Sequence, residues 1–421
     1  MHYEKLMRDW SGAGRGGGFA LACIVCGRAA ENDRASRCGH CGGAVDAIHD
    51  IGAVSLDPGP SPLRRYFDLL PVRRRKNLFW FGDGNTPCHA AEGFGRRTGL
   101  PHLFLKNEST NPTRSTKDRI ASVALSRFSE LGVGHLVTAS TGNSSTAYAR
   151  GVQLIDGIEM ALFCGRGYHH RLNYPDHPTV ATHLVDGDGP AVAAAARRFA
   201  ERTGAVCEGG FFNLARREGL KLAYLEAFDQ LPEPPDYVFQ AVGSGTGLLG
   251  GYKGAVEYRL LGRLPALPRF MAVQQEGCAP MAAAFREGAL SIEPRHIVAA
   301  PRGPAEAILC GDPAASYPYV RHACRTSGGR ILAVGTDEIR AVRDLLEETE
   351  GIQVCHSSAT ALAGAVRMRR EGGLPARARV LVNLTGGDRV GWPTPQRFTV
   401  VDPRVRGAGA GVRSGARGDE G

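Results

Sequence analysis

Short apolar runs alternate with helix-like segments along most of the chain. The strand-like runs, each bounded by turn-forming residues, span 103–105, 136–139, 159–163, 179–185, 237–242, 270–274, 331–334 and 380–384. Helix-like segments stand between several of them, among others at 118–131, 191–203 and 248–261. Strands that alternate with helices in this way are typical of a mainly parallel sheet covered by helices. The pattern therefore predicts a layered α/β fold.

The two ends of the chain and one internal stretch differ from this pattern. Residues 1–20 include the glycine-rich run 14–18, and residues 404–421 form an Arg- and Gly-rich tail, so both are expected to be disordered. The proline-rich residues 58–62 indicate a linker, placed at 48–63. The main folded region is then expected at 64–403.

Lys117 is the first candidate for chemistry. It lies in Ser-Thr-Lys-Asp-Arg, between the run 103–105 and the helix-like segment 118–131, and only six of the 51 Lys and Arg residues are lysines. Burial can bring the pKa of a lysine toward neutrality, which suits a Schiff base with a carbonyl cofactor, whereas a guanidinium stays charged. A surface lysine at a helix start explains this pentapeptide equally well.

Two turns rich in small residues are further candidates. Residues 140–145, Ser-Thr-Gly-Asn-Ser-Ser, can surround an anion or the edge of a planar ring with hydrogen bonds, although the same residues also serve as ordinary helix caps. Residues 243–247, Gly-Ser-Gly-Thr-Gly, follow an apolar run and open a helix, which favours a phosphate. The second turn lacks the P-loop ending and the full dinucleotide fingerprint, and this argues against a nucleoside triphosphate or NAD.

Taken together, residues 111–119, 139–143 and 243–247 resemble the three signatures of the threonine synthase family, whose members are fold-type II pyridoxal phosphate (PLP) enzymes. Further stretches agree in the same order: 65–71, the set Asn213, Arg216, Glu218, Gly219 and Lys221, then 272–277 with 279–280, and 384–386. The match covers roughly 63–390. It implies a tryptophan synthase beta-like fold, with two α/β domains around the cofactor and the smaller domain at about 115–225.

The resemblance also implies roles for single residues. Lys117 would bind PLP as a Schiff base and then move protons during catalysis. Asn143 would contact the 3-oxygen of the ring, and Thr385 would meet its nitrogen. The 5-phosphate would lie on Gly243, Ser244, Gly245, Thr246 and Gly247. The expected substrate-binding residues are Arg114, Ser140, Thr141 and Ser144.

Three departures from the family pattern concern the substrate. Arg114 stands where the family usually has a glycine, three residues before the lysine. Its side chain either binds a substrate anion or points to solvent. Residues 354–358 lack the family's acidic residue, and the closing Thr-Gly-His-Gly has become Thr-Gly-Gly-Asp at 385–388. These differences leave altered substrate use open.

The front of the chain carries a separate cysteine pattern. Cys23, Cys26, Cys38 and Cys41 form two C-x2-C pairs, each followed by a glycine. Four thiolates can close a tetrahedral zinc site and leave no position open for catalysis, so a structural zinc ribbon is expected at 21–47. His40 is a competing ligand, and disulfides or unused thiols are the alternatives. A similar ribbon precedes the catalytic region in several threonine synthase relatives, which favours a structural role over nucleic-acid or partner binding.

Composition and charge narrow the expected location and partners. No apolar run approaches the roughly 20 residues of a membrane span, and the first residues lack the apolar core of a secretory signal. The remaining cysteines are scattered, as in a reducing cytoplasm. A net charge of +9 would attract a phosphorylated amino-acid substrate, and equally nucleic acid, but the motifs favour the former. Both a monomer and a homodimer fit the resemblance.

The leading hypothesis is a PLP-dependent carbon–oxygen lyase that converts O-phosphohomoserine and water into threonine and phosphate. One alternative is β-replacement or elimination on phosphoserine or a related amino acid, as in cysteate synthase or an enzyme of specialised metabolism. The other is a binding protein with this fold and no turnover. The intact set of Lys117, Asn143 and the 243–247 turn counts against that last hypothesis.

Overall fold

A large, mainly parallel sheet forms one layer of the protein. The computed structural model describes residues 1–9, 18–140, 142–187 and 189–403. The strand order of this sheet is β11-β10-β9-β12-β4-β3, and only β3 runs antiparallel to its neighbour. Its strands are β3 (Cys88–Ala90), β4 (Leu103–Asn107), β9 (Tyr237–Ala241), β10 (Arg269–Gln275), β11 (Ile331–Val334) and β12 (Val380–Leu384). Because β4, β9 and β12 are adjacent and parallel, the segments that follow them leave from the same edge.

A second sheet is entirely parallel, in the order β13-β7-β6-β5-β8. Its strands are β5 (His135–Ala139), β6 (Glu159–Gly165), β7 (Val180–Val185), β8 (Val206–Cys207) and β13 (Thr399–Val401). Four of them come from one continuous stretch inside the expected smaller domain, 115–225. The edge strand β13 comes from the other end of the described chain, and its short sequence gave no signal for this pairing.

The helices alternate with these strands. They are α2 (Pro62–Arg65), α3 (Glu92–Thr98), α4 (Lys117–Glu130), α5 (Asn143–Gln153), α6 (Gly189–Thr203), α7 (Leu214–Gln230), α8 (Thr246–Leu260), α9 (Pro280–Arg286), α10 (Tyr317–Thr326), α11 (Thr336–Glu350) and α12 (His356–Arg370). The predicted strands and the predicted helices 118–131, 191–203 and 248–261 are confirmed to within a few residues. None of the described helices combines the length and the apolar character that crossing a bilayer requires.

The first residues of the chain differ from the expectation. Disorder was predicted for 1–20, yet Tyr3–Arg8 form a helix, α1, and an antiparallel hairpin begins at β1 (Phe19–Cys23), which pairs with β2 (Val45–His49). The glycine-rich run 14–18 lies, except for Gly18, outside the described residues, as does the tail 404–421. The side chains of Tyr3 and Met7 are buried, and Tyr3 donates a 2.5 Å hydrogen bond to Asp46. Burial of these two side chains stabilises a helix too short to be seen in the sequence.

Helix α7 crosses α4 at a glycine. A Cβ atom added to Gly219 would lie 2.3 Å from the carbonyl oxygen of Arg119 and 3.0 Å from the Cα of Ile120. Both neighbours are backbone atoms of a helix, so neither can move without shifting the helix. The absence of a side chain at 219 therefore lets the two helices pack backbone against backbone.

We expect Gly219→Ala to lower the free energy of unfolding by about 1 to 3 kcal/mol, because overpacking at a rigid contact is destabilising. Gly189→Ala is the matched control, since a Cβ at Gly189 meets nothing within 4 Å. Urea unfolding followed by circular dichroism measures both. Equal midpoints for the two variants would contradict the close crossing of α4 and α7.

Candidate active site

The segments that follow three neighbouring strands line one cavity. The segment after β4 leads to Lys117 at the first position of α4, the turn after β9 carries Gly243–Gly247, and Thr385 follows β12 directly. From the second sheet, the turn after β5 brings Ser140, Gly142, Asn143 and Ser144. These residues come from four segments of the chain, and all of them line the same cavity. Thr141 lies outside the described residues.

Backbone hydrogen bonds to the segment that follows β12 fix the position of Lys117. Residues 114–116 run antiparallel to 385–387: the N–H of Thr116 donates to the carbonyl of Thr385 at 3.0 Å, and the N–H of Gly387 donates to the carbonyl of Arg114 at 2.9 Å. Asp118 accepts hydrogen bonds from the N–H and the hydroxyl of Thr113, at 2.7 and 2.9 Å. These bonds close the turn before α4 and place Lys117 next to Thr385.

Lys117 is half-buried at the cavity, and its surroundings differ from those of the three fully buried lysines. Lys106, Lys221 and Lys253 are each held by carboxylates, with the nearest of them at 2.9 Å or less. The Lys117 amine has no hydrogen-bond partner among the described residues. Burial lowers the pKa of Lys117 to about 8, and the positive charge of Arg216 acts in the same direction. An amine of this kind is a nucleophile and a base near neutral pH.

The turn 243–247 presents free donors to the cavity. No described residue accepts a hydrogen bond from the backbone N–H groups of Gly243, Ser244, Gly245, Thr246 or Gly247. Gly245 has φ +79°, and a Cβ there would lie 2.2 Å from a methyl group of Val320, so only glycine fits. Because these donors stand at the start of α8, they suit an anion such as a phosphate.

Polar side chains that the sequence did not point to complete the floor of the cavity. Asn383 on β12 donates to Gln240 on β9 at 3.1 Å, and the hydroxyl of Tyr224 donates to the same oxygen. The side-chain oxygen of Asn383 is buried and has no partner among the described residues. The position of Asn383, two residues before Thr385 in an apolar strand, is the one sequence signal that could have identified it.

Arg389 is a second residue that sequence reasoning missed. Its guanidinium donates to the Thr113 carbonyl and to Asn173, both at 2.9 Å, and also to the side-chain oxygen of Asn143. It thereby joins the turn before Lys117 to the start of α5. These partners lie far apart in the chain, so no local pattern could indicate the role.

The predicted substrate residue Arg114 is not among the described residues that line the cavity. It adopts φ +54°, a region that favours glycine. Its guanidinium packs on Gly387: a Cβ at 387 would lie 2.6 Å from Arg114 Nη2. The arginine at 114 therefore fills the space that a side chain at 387 would need, and two of the departures from the family pattern, at 114 and 387, are in direct contact.

The four N-terminal cysteines converge at a second place. Their sulfur atoms all lie within 4.8 Å of one another, with Cys23 3.5 Å from Cys41 and Cys26 3.7 Å from Cys38. All four are free thiols. A tetrahedral zinc ion with bonds of about 2.3 Å separates its sulfur ligands by about 3.8 Å, so this set can hold a metal ion. His40 is exposed and is not part of the cluster.

Comparison with known proteins agrees with this geometry. Residues 79–386 match the family described as pyridoxal-phosphate dependent enzyme. The chain is 30% identical to a threonine synthase of Methanosarcina acetivorans, over 92% of this chain and 97% of the relative. It is 31% identical to a cysteate synthase of Methanococcoides burtonii, over 80% of this chain and 82% of the relative. Among solved structures, maize serine racemase has the same fold, with a TM-score of 0.59, 19% identity and coverage of 73% and 91%.

We expect the amine of Lys117 to react with a half-maximal rate near pH 8, because burial lowers its pKa to about 8. The experiment is reductive methylation of the cofactor-free protein over a pH series, with peptide mass spectrometry. A lysine peptide added to the same sample gives the ordinary value of about 10.4. If Lys117 reacted only in step with that peptide, the lowered pKa would be wrong.

Proposed function

The chain belongs to the family of pyridoxal-phosphate dependent enzymes, and from this premise we propose that it converts O-phosphohomoserine and water into threonine and phosphate. The observation that carries the proposal is the unpartnered amine of Lys117 in a cavity that also holds the free donors of residues 243–247. An amine and a phosphate-binding turn are the two features that PLP requires. Threonine synthases are among its relatives at about 30% identity.

The residues present fit the cofactor, and each would hold one part of it. The free N–H groups of 243–247 would bind the 5-phosphate, and the side chain of Asn143 would face the ring oxygen. The hydroxyl of Thr385, a neutral partner, would meet the ring nitrogen. Bound in this way, the cofactor withdraws electrons from the α carbon of an amino acid, less strongly than when a carboxylate protonates the ring nitrogen.

The chain's own residues would manage the protons. Lys117 would accept the α proton and then a β proton of the substrate, because its lowered pKa leaves part of the amine unprotonated near neutral pH. The bond from the γ carbon to the phosphate oxygen breaks, and phosphate leaves with the bonding electrons. Lys117 would return the two protons that it took up, one to the γ carbon, which becomes the methyl group of threonine, and one to the α carbon. The hydroxyl of water adds at the β carbon, and the other proton of water leaves with the phosphate. Ser140, Thr141 and Ser144 would orient the substrate carboxylate.

A second candidate is β-replacement on phosphoserine. It is favoured by the cysteate synthase relatives, at 27 to 31% identity, and by the three departures from the threonine synthase pattern. Both reactions begin with removal of the α proton and both release phosphate. They differ in the length of the substrate and in the incoming nucleophile.

The cysteine cluster would hold one structural zinc ion. The sulfur separations of 3.5 and 3.7 Å support this, as does the place of the cluster at one end of the hairpin β1–β2. Four thiolates leave no open coordination position, so this metal would stabilise the fold and take no part in the reaction. A cytoplasmic location, where thiols stay reduced, accords with such a site.

We expect purified protein with PLP to absorb in the visible region, and borohydride reduction to attach the cofactor to Lys117. Lys117→Ala should lose the band and nearly all phosphate release, whereas Lys76→Ala, an exposed lysine, should keep both. Spectra, peptide mapping and a phosphate assay with O-phosphohomoserine and with phosphoserine decide the matter. Attachment at Lys221 or Lys253 would refute the assignment, and release from phosphoserine alone would favour the second candidate.

We further expect one zinc ion per chain by elemental analysis, and a loss of that metal in the double variant Cys23→Ala/Cys26→Ala. His40→Ala should retain the zinc, since its side chain is exposed and lies outside the cluster. Equal zinc content in wild type and the double cysteine variant would exclude this site. Because metal binding supplies much of the folding energy of a small ribbon, the double variant should also melt at a lower temperature.

A further inference from the structure

Two arginines among the described residues line the cofactor cavity, and they differ in how their charge is compensated. Arg216 is locked to Glu208: its Nε and Nη2 atoms lie 2.6 Å from the two carboxylate oxygens. Burial alone would raise the pKa of Glu208, but Arg216 outweighs burial and holds that pKa below its ordinary value. Glu208 also accepts bonds from Tyr148 and Asn213. The guanidinium of Arg216 is therefore already paired with a carboxylate inside the protein.

Arg171 is not compensated in this way. Its side chain is only 13% exposed, and its nearest carboxylate, on Glu306, is 3.6 Å away and half exposed. An ion pair with a carboxylate this exposed to solvent is weak. The Nη1 atom is buried and has no hydrogen-bond partner among the described residues. A buried donor without a partner is costly, and an anion bound there would remove that cost.

The position of Arg171 is at the junction of two cavities. The inner one holds Lys117 and the 243–247 turn, and the outer one is lined by His170, Cys355 and Arg389 among others. Arg171 lines both. A Cβ added to Gly142, in the turn after β5, would lie 3.3 Å from its Nη2 atom. The free donors of Arg171 thus stand beside the small-residue turn, on the way from the inner cavity to the outer one.

Arg389, which lines the outer cavity, is already hydrogen-bonded within the protein. Its three donor nitrogens bind Thr113, Asn143 and Asn173. Arg114 lines neither cavity and packs on Gly387. The Nε atom of Arg114 is also buried without a partner, but its side chain lines neither cavity. Among the arginines described around the site, Arg171 is therefore the one that lines the cavities and also has a buried donor without a partner.

We propose that Arg171 binds the phosphate group of the substrate, the group that leaves during the reaction. The inference rests on the proposed function, and it narrows the substrate class to amino acids that carry a phosphate monoester at the β or γ carbon. The cofactor phosphate has its own donors in the turn 243–247, so the two phosphates occupy separate places. The leaving phosphate would then pass Arg171 on its way to the outer cavity.

The test compares phosphorylated with acetylated substrates in Arg171→Gln. With O-phosphohomoserine and phosphoserine, kcat/KM should fall about tenfold to a hundredfold, as for the loss of a charge-assisted contact. With O-acetylhomoserine and O-acetylserine it should stay nearly unchanged. An equal fall for both classes would mean that Arg171 binds the carboxylate, and no fall for either would exclude a substrate contact; both outcomes overturn the proposal.

Two control variants separate Arg171 from its neighbours. Arg166→Gln alters an exposed arginine of the same short segment, 166–171, and should change nothing. Arg114→Gly places glycine at a φ of +54°, where it fits without strain, and should also leave the phosphate preference intact. If Arg114→Gly removed that preference and Arg171→Gln did not, Arg114 would be the phosphate-binding residue.

A binding measurement keeps the test independent of turnover. Isothermal titration of cofactor-loaded protein with inorganic phosphate should show one site that Arg171→Gln weakens about tenfold or more, with the absorption of the cofactor unchanged. If no amino acid in the panel reacts, the proposed function fails, yet this titration still decides whether Arg171 binds phosphate. Equal phosphate affinity in wild type and variant, or none in either, would overturn the proposal.

Discussion

A buried cluster of charges holds together the elements that carry the site. The guanidinium of Arg119 lies 2.7 Å from Glu108 and 2.7 Å from Glu226, and Lys106 lies 2.9 Å from Glu226. All four side chains are almost completely buried. Removing one partner from such a cluster leaves an uncompensated charge in the interior, at a cost of about 3 to 5 kcal/mol. The cluster joins β4, α4 and α7, and Arg119 is only two residues from Lys117.

A second cluster joins the hairpin β1–β2 to α7 and α8. Asp46, on β2, pairs with Arg217 and Lys253, and Glu218 also pairs with Lys253. Helix α7 contributes to both clusters and, through Arg216, to the cavity itself. The hairpin is therefore bound to the main body by buried ion pairs, and its partners lie on α7 and α8, two helices that also line the cofactor cavity. Substitutions at the hairpin and substitutions at the cavity would therefore both act on helix α7.

The sequence predicted the elements and the turns better than the contacts between them. Apolar runs and small-residue turns are local features, and this is why the strands, Lys117 and the turn 243–247 were found where the structure has them. Buried charges leave no such local signal: charged residues in a helix are mostly exposed, yet Glu218 and Glu226 of α7 are buried. Arg171, Arg389 and Asn383 were missed because their partners are distant in the chain. Helix α1 and strand β13 are too short for a periodic signal.

The chain leaves the large sheet after β12 and joins the second sheet at β13. Between these strands, residues 387–390 line the outer cavity, and Arg389 is fastened to both sides of the site. This connecting stretch of about fifteen residues thus links the two sheets and also lines part of the outer cavity. Insertions or deletions in this stretch would alter the sheet edge and the access route at once, so evolutionary change here is constrained by two requirements together. A search for residues that determine substrate choice among relatives should begin in this connecting stretch.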